Sequence, residues 1–170
     1  MLQIIILAAT ALLVGIDQLT KWLAVEYLQE GEPFPIIDGV FELLLHKNPG
    51  AAFGLFEGQR WLFMGITVVV IVVLAAILMS GKYRQYRLVN LSGTLIIAGG
   101  IGNMIDRIFR GYVVDMFDLE FMDYPIFNLA DIFVVVGVIL GAVYYLWFYD
   151  KYDKRSGKEP GDDTAADSHK

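Results

Sequence analysis

Asp17, Asp106, Asp115 and Asp131 each interrupt sequence that is otherwise apolar or small, and two of them carry the surroundings that acid-base chemistry needs. Asp115 lies within Gly111-Tyr112-Val113-Val114-Asp115-Met116-Phe117, and Asp131 within Phe127-Asn128-Leu129-Ala130-Asp131-Ile132-Phe133. Two carboxylates held close together cannot both ionise comfortably, so they share a proton. One then serves as a base that activates water and the other as an acid that protonates an amide, which is how paired aspartates open a peptide bond. Asn103 and Asn128 suit such a pair, because a neutral carboxamide fixes a carboxylate rotamer without quenching its charge. A structural account competes with this one. Asn128 is a good helix N-cap, and Asp131 three residues later fits a capping-box acid favoured by the helix dipole. The uniformly apolar sequence after Asp131 makes its surroundings water-poor, which tips the balance toward a reacting pair.

The remaining polar residues read as support. Asp17 and Lys21 are one helical turn apart and close enough to pair; either they neutralise one another, with Lys21 reaching toward headgroups, or they belong to the site. Asn103, Asp106 and Arg107 place amide, carboxylate and guanidinium within one turn, and an Asp106–Arg107 ion network that orients the site without reacting is the expectation there. Cysteine is absent and histidine is limited to His46 and His169, so thiolate chemistry and a histidine-rich metal site are excluded. No cofactor or metal is expected. The net charge of -6 argues against a nucleic-acid partner, since neutralising phosphates takes a basic surface.

These residues need elements to hold them, and the composition says what kind. A chain of 170 residues that is 56% hydrophobic, with a mean hydropathy of +0.56, is too apolar for an ordinary water-soluble fold. A helix crosses the hydrocarbon of a bilayer with about 20 apolar residues. Four runs of that kind are present, at about 1–27, 61–80, 88–108 and 127–149, with Trp and Tyr near their ends as at headgroup depth. The predicted fold class is therefore membrane all-α, with four transmembrane helices. Between helices 1 and 2, Phe34 to Phe56 mixes β-branched and aromatic residues with turn formers at Asp38-Gly39 and Asn48-Pro49-Gly50, which predicts a small extracytoplasmic β-sheet loop lying on the membrane. Lys82, Arg84 and Arg87 crowd one connection, and Lys151, Lys154, Arg155 and Lys158 follow the last run, so both termini are expected in the cytoplasm. Residues 1–155 are expected to form one membrane domain, and 156–170, rich in Gly, Pro and paired acids, a disordered cytoplasmic tail.

Five blocks together resemble a known family, the bacterial lipoprotein signal peptidases, also called signal peptidase II. They are Asp17-Gln18-Leu19-Thr20-Lys21, Asn48-Pro49-Gly50-Ala51-Ala52-Phe53-Gly54, Gly102-Asn103-Met104-Ile105-Asp106-Arg107, Val113-Val114-Asp115 and Phe127-Asn128-Leu129-Ala130-Asp131, in the family's order and covering nearly the whole chain except the tail. The resemblance implies an aspartic endopeptidase of the bacterial cytoplasmic (inner) membrane. Its substrates would be diacylglyceryl-modified prolipoproteins, cut just before the lipidated cysteine near the outer face. It makes Asp115 and Asp131 the catalytic pair. Asn103, Asp106, Arg107, Asn128 and Ala130 would then be the surrounding support, and Asp17, Lys21 and Asn48 polar positions lining the site. Membrane lipids are the other expected partner, and one copy of the chain suffices for the chemistry. Two departures stand out: Pro49 where the family commonly has Thr, and Ile132 where Ser is usual.

Two other classes compete. A small proton- or ion-coupled carrier would use the aspartates as a relay, but four spans without a detectable inverted repeat make a poor carrier. A structural subunit would place isolated charges on single helices, whereas these acids cluster at the outer ends of three.

Overall fold

The computed structural model describes residues 1–50 and 60–148. Among the described residues the apolar runs become the helices α1 (Leu2–Tyr27), α2 (Arg60–Met79), α3 (Arg87–Phe109) and α4 (Leu129–Val143), the last continued by a π-helical turn over Tyr144–Phe148. Leu2–Tyr27, Arg87–Phe109 and Leu129–Phe148 are long and apolar enough to cross a membrane, while Met64–Met79 in α2 forms a shorter apolar helix. Of the four expected spans, three thus meet the length requirement among the described residues. The Ala51-Ala52-Phe53-Gly54 part of the second sequence block, the expected strand region up to Phe56, and the basic segment and tail from residue 149 onward lie outside the described residues.

Helix α3 is the centre of the bundle, packed against α1, α2 and α4. Its buried face is made of small and polar residues, among them Ser92, Gly93, Thr94, Gly99 and Gly102, which let neighbouring backbones come close. At Gly99 a Cβ would overlap the carbonyl oxygen of Ala130 and come within 2.7 Å of Val134 Cγ2, so α3 and α4 touch backbone to backbone just where α4 begins. Lower down, Ser92 Oγ donates to the Gly137 carbonyl at 2.7 Å. The outer helices α1 and α2 turn apolar side chains away from the bundle, with Ile4 70% and Val69 61% exposed. Such faces are unfavourable in water and suited to hydrocarbon.

A three-stranded antiparallel sheet sits at one end, in the order β1 (Phe34–Ile37), β2 (Phe41–Asn48), β3 (Val113–Asp118). The turn between β1 and β2 falls at Asp38-Gly39, where Gly39 takes φ +72°, a conformation that glycine adopts without steric cost. The sheet expected in the connection between helices 1 and 2 is present there as β1 and β2, and a strand from elsewhere completes it. Its third strand comes from the connection between α3 and α4, where the β-branched pair Val113-Val114 favours extended backbone. Val114 and Met116 turn to one face and pack with Ala24 and Leu45 against α1. Asp115, between them, must face the other way.

Candidate active site

The meeting of β3 and α4 assembles the site. The Phe127 N–H donates to the Phe117 carbonyl at 3.0 Å, and the Phe117 N–H returns a bond to the Phe127 carbonyl at 2.8 Å. This bridge brings Asp115, two residues before Phe117, alongside Asn128, which directly follows Phe127. Asn128 is fully buried and begins α4 with a complete capping box: its Oδ1 accepts from the Asp131 N–H, and Asp131 Oδ2 accepts from the Asn128 N–H, both at 3.1 Å. The capping and pairing readings of Asp131 are therefore compatible, since capping occupies one carboxylate oxygen and leaves the other for the site.

Every carboxylate oxygen of the two aspartates receives a donor. Asn48 Nδ2 donates to Asp115 Oδ2 at 2.9 Å and Asn128 Nδ2 to Asp115 Oδ1 at 2.6 Å, while Asn103 Nδ2 donates to Asp131 Oδ1 at 2.7 Å. A carboxylate has about four lone-pair positions, so each aspartate keeps room for water or substrate. Both line one cavity of about 210 Å³, together with Asn48, Asn103, Arg107 and a wall of Val113 and Tyr124 to Phe127. Burial pushes the Asp115 carboxyl up from its ordinary value of 3.8 to about 6. Donation from Asn48 opposes that rise, the Asp131 charge adds to it, and Asn128 and the Lys21 charge pull it back.

The supporting residues divide into two groups. Arg107 spans the cavity edge, its Nη1 donating to the Asn103 carbonyl at 3.3 Å and its Nη2 to the Gly50 carbonyl at 3.2 Å, so it ties α3 to the turn after β2. Within that turn, Asn48 Oδ1 accepts from the Gly50 N–H at 3.0 Å. Pro49 leaves this bond intact, because the donor is the residue after it. The second group lies beneath the aspartates. Lys21 is fully buried and bonds to Asp17 Oδ2 at 3.0 Å, Asp106 Oδ2 at 3.2 Å and Asn103 Oδ1 at 2.9 Å. Asp17 Oδ1 in turn accepts from the Ala130 N–H at 3.0 Å, fastening α1 to the start of α4, and Asp106 Oδ2 accepts from the Val114 N–H at 3.1 Å, fastening α3 to β3.

Two expectations change here. Lys21 does not reach toward headgroups, and the cations that meet Asp106 are Lys21 and Arg110, the latter with Nε at 3.4 Å, rather than Arg107. An i,i+4 spacing announces Arg110, and it could have been read from the sequence. Gln18, which donates to Asp17 Oδ2 and to the Gly102 carbonyl, both at 3.1 Å, and the wall from Tyr124 to Phe127 carry no comparable signal. Among the described residues, no three His, Cys, Asp or Glu side chains are grouped as a metal ion would require.

The family model described as signal peptidase (SPase) II matches residues 9–147, a span that holds every residue of this site. The chain belongs to the signal peptidase II family. It is 48% identical to a lipoprotein signal peptidase of Halothermothrix orenii over 136 residues, covering 80% of this chain and 90% of that one. It is 40% identical to one of Enterococcus faecalis over 158 residues, covering 93% and 94%. The fold is similar to a solved bacterial membrane enzyme, with a TM-score of 0.79 at 31% identity over 91% of this chain and 93% of the other. A second such structure gives a TM-score of 0.76 at 30% identity, covering 84% and 93%. As a member of the signal peptidase II family, with apolar helices of spanning length, the chain is a protease and an integral membrane protein.

Proposed function

We propose that the chain is an aspartic endopeptidase that removes signal peptides from diacylglyceryl-modified prolipoproteins, cleaving before the lipidated cysteine, with Asp115 and Asp131 as the catalytic pair. The observation that carries this reading is that the two carboxylates line one cavity and both accept from Asn128, Asp115 from its side-chain amide and Asp131 from its backbone N–H, while burial holds Asp115 at about 6. A pair that holds one proton has the acid and the base that amide hydrolysis requires. The ionised aspartate takes a proton from water as the water oxygen attacks the scissile carbonyl. The protonated one supports the developing oxyanion. Collapse of the tetrahedral species then breaks the C–N bond, and the departing nitrogen takes up the proton that the base acquired. Asn48, Asn103 and Asn128 hold the carboxylates, and Arg107 faces the pair with a fixed positive charge.

The substrate follows from the family and from depth. A bond held near the membrane surface by a signal helix on one side and lipid chains on the other meets a site at the junction of sheet and helix ends. The basic Lys82–Arg87 connection assigns the opposite end of the bundle to the cytoplasm. The proposed orientation has both termini inside and the site at the outer face of the inner membrane, with residues 1–155 proposed as the peptidase domain of a single chain. A purified preparation in detergent, given a diacylglyceryl-modified precursor, should release the signal peptide. Asp115→Asn and Asp131→Asn should each abolish release while remaining folded. Release by either variant at the parental rate would remove that residue from the pair.

A further inference from the structure

The orientations of the Asn103 and Asn128 carboxamides are set by groups that can only donate. A lysine ammonium has three donors and no acceptor, so whichever atom of Asn103 meets Lys21 must be its oxygen. That leaves Asn103 Nδ2 for Asp131, at 2.7 Å. The second fixed donor is the Asp131 N–H, which requires Asn128 to present its oxygen and therefore turns Asn128 Nδ2 toward Asp115 Oδ1 at 2.6 Å and Asn103 Oδ1 at 3.0 Å. Asn103 Oδ1 thus accepts from Lys21 on one side and Asn128 on the other. A flipped Asn103 would turn an amide nitrogen toward both donors and an acceptor toward Asp131, and burial makes such mismatches expensive.

We infer that Lys21 is a positioning residue for both aspartates, acting through the carboxamides of Asn103 and Asn128. This inference rests on the reading of Asp115 and Asp131 as the reacting pair. Lys21 touches neither carboxylate. Its three protons are divided among Asp17, Asp106 and Asn103, so it is held in place by α1 and α3 before it fixes the amide above it. A buried ammonium needs an acceptor for its third proton in any case, and here that acceptor is Asn103 Oδ1, the atom whose placement turns Nδ2 toward Asp131. That bond carries the orientation upward from a charged layer to a neutral one, and the asparagines transmit geometry while keeping the Lys21 ammonium out of contact with Asp115 and Asp131.

Lys21→Met alone leaves buried Asp17 without its cation and Asp106 with Arg110 only, and can fail to fold. The informative variant is Lys21→Met with Asp17→Asn. One cation and one anion leave together, the buried cluster keeps its net charge, and the amide oxygen introduced at position 17 still accepts from the Ala130 N–H. The expected result is a folded protein with KM near the parental value and kcat lower by about a hundredfold, the loss that a small misplacement of reacting groups produces. In nuclear magnetic resonance spectra in micelles, the Asn103 side-chain amide protons, identified by their loss in Asn103→Ala, should be inequivalent in the parent, with one moving as the aspartates titrate. That response should disappear in the double variant. Parental kcat together with a parental amide signal in the double variant would show that Lys21 only balances charge. An Asn103 amide in the parent that ignores the titration overturns the inference whatever the variants do. Absence of cleavage by the parent would instead sink the proposed activity, and the amide signal would still decide the role of Lys21.

Discussion

Replacing Asn48 with alanine should move the alkaline limb of the pH–rate profile to higher pH. The pair is competent while it holds one proton, so kcat/KM declines as pH passes the higher of its two apparent pKa values in the free enzyme. Burial puts Asp115 at about 6, and donation from Asn48 is the largest of the influences that oppose the rise. The Asn48 Nδ2 bond to Asp115 Oδ2, 2.9 Å long, favours the ionised form. Without it the carboxyl keeps its proton to higher pH, and the limb must move upward. A hydrogen bond to a charged group is worth about 1.5–3 kcal/mol, and a tenfold change in proton affinity corresponds to about 1.4 kcal/mol, so complete loss would move the limb by roughly one to two pH units. The cavity admits water that takes over part of the donation, and about one unit is the expected displacement. Initial rates of cleavage of a synthetic lipopeptide, followed from about pH 5 to about pH 9 in detergent, give both limbs. A limb that stays where it was, or moves to lower pH, would refute the assignment of Asp115 as the proton-holding partner.

The same elevation has a consequence for folding. Because the folded-state value of Asp115 lies above its ordinary 3.8, the native state binds this proton more tightly than the unfolded chain, and the stability it contributes is fully present below 3.8 and is lost as pH rises from there through about 6. The difference corresponds to about 3 kcal/mol, so thermal unfolding of Asp115→Asn should lack a decline with pH that the parent shows over this interval. Asn128→Ala removes the α4 cap, costing about 1 kcal/mol, and frees both aspartates; a small fall in melting temperature with more than about a hundredfold loss of kcat is expected. Gly99→Ala forces a methyl group against the Ala130 backbone and should lower the melting temperature by an amount equivalent to about 1–3 kcal/mol, with activity falling too because Ala130 adjoins Asp131. Lys47→Ala breaks the exposed 2.6 Å pair with Glu30 and should leave both the melting curve and the cleavage rate unchanged.

How much of this could be read from the sequence follows from the range of the interactions involved. A run of apolar residues is long enough to declare α1, α3 and α4 by itself, and the Asn128-to-Asp131 spacing declares the start of α4, because both signals are local. The Asp17–Lys21 pair is likewise local, four residues along one helix. The pairing of β2 with β3 is not, since it joins positions such as His46 and Asp115 that lie far apart in the chain, and no turn signal connects them. For the same reason the sequence suggests Arg107 as the partner of Asp106, its neighbour in the chain. The fold instead brings Lys21 across from α1, and the guanidinium reaches upward to Gly50. The Tyr124–Phe127 wall is hidden because its residues are unremarkable as a pattern and acquire their role only when Phe127 pairs with Phe117.

The arrangement also explains why a chain this apolar retains so many buried charges. An ionisable group within a membrane span costs about 2.5–3.5 kcal/mol on insertion scales, so Asp17, Lys21 and Asp106 together would be a severe load if each served only itself. Each of them instead closes a backbone donor or an amide belonging to a different element: Asp17 the Ala130 N–H of α4, Asp106 the Val114 N–H of β3, and Lys21 the Asn103 carboxamide of α3. Ala130 lies next to Asp131 and Val114 next to Asp115. The charged layer therefore fixes the backbone immediately before each aspartate from below, while the asparagine layer fixes the carboxylates themselves from the side. An apolar replacement of the layer would pack as well, but it would leave buried N–H groups without acceptors at the two positions where displacement matters most.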